Sequence, residues 1–112
     1  MSDFNVGFVI FPDLTQLDFT GPFEVLSRLA TPPSISAPSA FAQSRTHVVA
    51  KSMQPVLSDR GLGIMPTCDY GSCPQLDLIC VPGGPGVVGA IADDETVDFC
   101  LVASKHKHNG CL

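Results

Sequence analysis

Two short apolar runs limit what this chain can become. The first is VGFVIF at residues 6–11, closed by Pro12. The second is LDLICV at residues 76–81, closed by Pro82-Gly83-Gly84-Pro85-Gly86. Both are rich in β-branched residues, neither alternates cleanly, and both are short for a buried helix. Such runs predict strands covered on both faces, as in a parallel sheet. Parallel strands need long crossovers, so helices must lie on the faces of that sheet.

The segments between the runs supply those elements. Residues 17–29, LDFTGPFEVLSRL, place Phe23, Leu26 and Leu29 on one helical face with Val25 at its flank. Pro22 suits a first helical turn, and Glu24 in that turn suits the helix dipole. Residues 46–50 read as a second strand. Residues 54–67 carry two apolar stretches around Asp59-Arg60-Gly61, which predicts a small hairpin. Beyond the glycine-rich turn, residues 87–92 open a short helix and residues 95–105 an imperfect amphipathic one. Residues 31–44, TPPSISAPSAFAQS, are rich in Pro, Ser and Ala, carry no charge, and read as a loop insertion.

Strand, helix, strand, arm, strand, helix is the order of an α/β, flavodoxin-like three-layer sandwich with a parallel sheet. The 112 residues allow one domain. A complete doubly wound domain needs more, because each βαβ unit takes about 30 residues. The expectation is a single, partial domain over residues 1–112, incomplete at the C-terminus, with roughly three parallel strands and one open sheet edge.

The net charge is −5, and the six Lys and Arg form no basic stripe, which argues against nucleic-acid binding. No apolar run approaches the ~18 residues of a membrane helix, and the N-terminus lacks the features of a signal peptide. A cytoplasmic protein with no membrane partner is expected. The five cysteines form an odd set without C-x-x-C spacing and read as reduced thiols. Cys80 and Cys100 are expected to act as small core hydrophobes; Cys68 and Cys73 flank a turn, where a bridge is the less favoured reading.

Two loops reach the carboxyl edge of such a sheet, where ligands collect. In the later one, Gly83 and Gly84 leave backbone N–H groups free of side chains, either to hold an anion or simply to turn tightly. No phosphate-loop or dinucleotide fingerprint is present. In the first, Asp18 precedes Thr20-Gly21-Pro22. It is either a residue satisfying the N–H groups of its own helix or a general acid/base tuned by burial and dipoles.

Together these segments resemble the ThiJ/PfpI family of the class I glutamine-amidotransferase-like superfamily, and within it the isonitrile hydratases. The shared features are the F-P strand end, L-D-x-T-G-P-x-x-V-L from Leu17 to Leu26, and D-x-I-x-V-P-G-G-x-G from Asp77 to Gly86. The likeness covers about residues 5–99. It implies a lyase that hydrates an isonitrile to an N-substituted formamide through a cysteine thiolate. Asp18 then assists catalysis, and Gly83 and Gly84 border the oxyanion region. It implies a small-molecule substrate, leaves room for a homodimer, and calls for neither metal nor other cofactor.

The likeness ends after Phe99. The family continues into an apolar strand and a Cys-Thr-Gly turn, whereas residues 105–112 read KHKHNGCL, a divergent and solvated tail. By family spacing the nucleophile falls beyond Leu112, and Cys111 lacks a setting that would lower its pKa. His106, His108 and Cys111 make a weak metal pattern. The sequence therefore reads as an isonitrile hydratase-like chain without its nucleophile. The alternatives are a ligand-sensing domain like that of AraC-type regulators, or a structural remnant that binds a homologue.

Overall fold

The computed structural model describes residues 4–30, 44–104 and 110–111. Five strands form one sheet: β1 (Phe4–Val9), β2 (Ser44–Ala50), β5 (Cys68–Asp69), β6 (Leu78–Cys80) and β7 (Gly110–Cys111). Their order is β5-β2-β1-β6-β7, and every pairing is parallel. The hairpin of β3 (Val56–Leu57) and β4 (Gly63–Ile64) stands apart as a second, antiparallel sheet. The chain lays β2 and β5 on one side of β1, then returns to its other side with β6. The direction of winding thus reverses between β1 and β6, the topological switch point of an open sheet.

β1 is the centre because it is apolar on both faces. Val6, Phe8 and Ile10 alternate with Val9 and Phe11, and all five are buried. On the first face, Phe8 meets the rings of Phe19 and Phe23 edge-on, at centroid distances of 6.1 and 5.2 Å. Both belong to α1 (Gln16–Leu26), so α1 covers that face. On the opposite face Leu76 lies over Gly7, where any Cβ would collide with it. There α3 (Asp94–Ser104) closes the layer, with Phe99 stacked on Tyr70 at 4.6 Å. The shorter α2 (Val87–Ala92) links β6 to α3. Helix, parallel sheet, helix is the three-layer α/β arrangement expected from the sequence. Among the described residues no helix is long and apolar enough to cross a membrane.

Three elements differ from the sequence reading. α1 starts at Gln16, so Pro22 is its seventh residue and not in its first turn. The ring tolerates helical φ, and the bond that is lost is the one to the Asp18 carbonyl. Cys68–Asp69, read as turn, adds β5 beside β2 through two residue pairs. Gly110–Cys111, read as solvated tail, runs beside β6 as β7. Two-residue strands carry no periodicity, so both edges escaped a pattern-based reading. The 31–43 part of the expected insertion and residues 105–109 and 112 of the tail, including His106 and His108, lie outside the described residues.

The amino edge of the sheet is tied by polar groups. Asn5 N–H donates to Asp77 Oδ2 at 2.8 Å, Asp77 N–H donates back to the Asn5 carbonyl at 2.7 Å, and His47 Nε2 lies 2.9 Å from Asn5 Oδ1. Partial burial, followed by the nearby Arg45 charge, holds the His47 pKa below 6.5. The folded state therefore favours neutral His47, and the unfolded chain takes up the proton first as pH falls. The contribution is fully present above about pH 6.5 and is lost below it. In urea denaturation, the midpoint should drop between about pH 7.5 and 5.5 by more in the wild type than in His47→Gln.

Candidate active site

The loops after β1 and β6 flank the switch point and are zipped together by backbone. Thr15 N–H donates to the Gly83 carbonyl at 3.0 Å, and Gly86 N–H donates to the Asp13 carbonyl at 2.9 Å. The approach is so close that a Cβ on Gly84 would collide with the Thr15 backbone nitrogen, and one on Gly86 with the Pro12 carbonyl oxygen. Gly84 also takes φ +119°, a conformation that L side chains rarely adopt. Asp13 sits at φ 65°, which Asp tolerates better than most residues. The hairpin holds the first loop from its other side: Asp13 N–H donates to the Leu57 carbonyl and Asp59 N–H to the Leu14 carbonyl, each at 2.9 Å.

This seam places Asp18 and the glycine pair together. Asp18 lies in the first turn of α1, and its Oδ2 accepts a hydrogen bond from Gly83 N–H at 3.3 Å, a contact spanning 65 residues of chain. Thr15, the extended residue that precedes the helix, makes no capping bond with its side chain. Among the described residues the Asp18 carboxylate bonds across the crevice and not into its own helix. Asp18 is exposed to solvent, not buried. Among the described residues the Gly84 N–H meets no acceptor. The rim thus offers a carboxylate against the Gly83 N–H, beside a second backbone N–H at Gly84, groups of the kind that move a proton and receive developing negative charge.

The thiols stand elsewhere. Cys68, Cys73, Cys80 and Cys100 form no disulfide among the described residues. Burial pushes the Cys68 thiol up, and burial with Cys68 alongside pushes Cys73 up to about 12, so neither is readily a thiolate. Cys80 is buried in β6 and Cys100 half-buried in α3. Cys111 pairs in register with Ile79, four residues before Gly83. At about 3.3 Å per residue, its backbone lies roughly 13 Å below the rim.

Residues the sequence reading did not single out complete the site: Asp13, Thr15 and Gly86 make the seam itself. The available signal was the third glycine of PGGPG, since a lone tight turn does not need it. The close contacts predict an asymmetry among glycines. Gly86→Ala should cost about 2 kcal/mol or more, because backbone must move. Gly89→Ala, where an added Cβ meets nothing within 4 Å, should stabilise α2 by about 0.5–1 kcal/mol. Urea midpoints of the two variants check this.

No family model matches the chain. The isonitrile hydratase of Pseudomonas putida is 43% identical to it over 95 residues, which are 85% of this chain and 36% of that protein. A ThiJ/PfpI family protein from Pseudomonas syringae superposes with a TM-score of 0.75 and 30% identity, over 99% of this chain and 42% of that one. DJ-1beta of Drosophila melanogaster shares the fold, with a TM-score of 0.72 and 17% identity over 93% of this chain and 50% of that one. The chain therefore spans between about a third and a half of the length of these proteins. The sequence likeness and the shared architecture agree: the chain belongs to the ThiJ/PfpI family.

Proposed function

We propose that this chain carries the acid and glycine-loop part of an isonitrile hydratase-type site and does not itself supply the nucleophile. The observation that carries the reading is the Asp18 carboxylate 3.3 Å from Gly83 N–H at the switch point of the sheet. The likeness to the Pseudomonas putida enzyme supplies the reaction class.

In this reading a thiolate adds to the terminal carbon of R–N≡C, and that carbon takes a proton to give a thioimidate. Asp18, as the acid, donates that proton; its carboxylate then takes a proton from water, whose oxygen adds to the same carbon, and passes that proton to the imidate nitrogen. The hydroxyl proton returns to Asp18 as the carbon–sulfur bond breaks, and R–NH–CHO leaves with the thiolate restored. The N–H groups of Gly83 and Gly84 stabilise the negative charge that grows during water addition.

A thiol belongs at the rim for this chemistry, and the described cysteines lie in strands, a turn and a helix flank away from Asp18. The chain alone should release formamide from an alkyl isonitrile no faster than a protein-free blank, and Cys111→Ala should change nothing. A chimera that continues residues 1–99 with the downstream part of the Pseudomonas putida enzyme should turn over. Asp18→Asn in that chimera should lower kcat by about 10²–10⁴-fold. Cys111-dependent turnover by the chain alone, or an Asp18→Asn chimera of full activity, would contradict the assignment.

A further inference from the structure

On the α3 side of the seam, away from Asp18 and Gly83, a cleft of about 710 Å³ opens outside the carboxyl ends of β1, β2 and β5. That volume falls within the ~300–1,000 Å³ range of small-molecule sites. Its floor is apolar, built from Ile10, Phe11, Ala50 and Val56. One wall carries a connected polar chain: Lys51, Asp93, Thr96 and Tyr70.

The direction of that chain fixes what the wall can offer. Asp93 Oδ2 accepts from the Thr96 hydroxyl at 2.6 Å, so the single Thr96 hydroxyl hydrogen is committed. The Tyr70 hydroxyl, 2.8 Å from Thr96 Oγ1, must then be the donor of that pair, and its own oxygen is left as an acceptor. Asp93 Oδ1 accepts from Lys51 Nζ at 2.9 Å, and Glu95 Oε1 lies 3.3 Å from the same ammonium. The bonds from Thr96 and Lys51 hold the Asp93 carboxyl below its ordinary range, so it is ionised at neutral pH. The charged residues lining the cleft are Asp13, Lys51 and Asp93, and Lys51 is already shared between two carboxylates. The wall is thus rich in acceptors and net negative, above an apolar floor.

We propose that this cleft binds a small amphiphilic amine, its hydrocarbon body on the Ile10–Ala50–Val56 floor and its ammonium head against Asp93 and the Tyr70 oxygen. An ammonium is donor-only and cationic, which complements this wall. A carboxylate meets repulsion there, and a hydroxyl gains no charge pairing.

The protein has one tyrosine and no tryptophan, so Tyr70 fluorescence reports occupancy directly. Cyclohexylmethylamine, which does not absorb with tyrosine, serves as the probe. Cyclohexylmethanol and cyclohexanecarboxylate serve as isosteres. The amine should give a saturable change in Tyr70 emission and bind at least about tenfold tighter than either isostere. Asp93→Asn should weaken the amine by about tenfold with the far-UV dichroism unchanged. Gly89 lines the cleft and has open space at its Cβ position, so Gly89→Phe fills the cleft without backbone collision and should abolish the change. Absence of a saturable signal, an isostere that binds within tenfold of the amine, or undiminished amine binding by Gly89→Phe would overturn the proposal.

Discussion

Everything at the carboxyl edge depends on how closely two backbones approach. The loop after β1 and the loop after β6 touch through Gly84 against Thr15 and Gly86 against Pro12, with no room for a Cβ at either glycine. Two hydrogen bonds, Thr15 to Gly83 and Gly86 to Asp13, lock that approach. Burying backbone this tightly is tolerable only because its polar groups pair across the seam. The hairpin reinforces it by holding the first loop through Asp13 and Asp59. The site is therefore carried by backbone geometry, and the side chains that face it follow from that geometry.

The seam also divides the edge into two chemical environments. On one side Asp18 faces the glycine pair, as a proton carrier beside backbone donors. On the other side the Lys51–Asp93–Thr96–Tyr70 chain borders an apolar cleft. Both lie at the carboxyl ends of the strands, where winding reverses and loops splay apart, which is where open α/β sheets generally bind ligands. The same three-layer packing that buries Phe8 under α1 and stacks Phe99 on Tyr70 holds the two sides at fixed positions.

Much of this was legible in the residues. The apolar runs around Phe8 and Ile79 marked buried parallel strands, and PGGPG marked a strand-to-helix turn at the ligand-binding edge. Other features were not legible, for definite physical reasons. β5 and β7 pair through two residues each, too few for any period to register. Pro22 was assigned to a first turn because proline favours that place, yet helical φ suits it further along once one hydrogen bond is forgone. The polar chain from Lys51 to Tyr70 joins residues from three separate segments, and only tertiary folding brings them together. Asp18 was recognisable as a candidate through its motif, while its hydrogen bond to Gly83 depended on the long-range seam.

The central claim is that the carboxylate of residue 18 and the amide of residue 83 share one hydrogen bond across the switch point. The most direct measurement compares the ¹H–¹⁵N spectrum and amide exchange of the wild type with those of Asp18→Ala. Removing the acceptor should shift the Gly83 amide proton and speed its exchange with solvent, while the Thr15 amide, bonded to the Gly83 carbonyl, keeps its protection. A Gly83 amide with the same shift and the same exchange rate in both proteins would mean the two loops do not meet as described, and the site would have to be placed elsewhere.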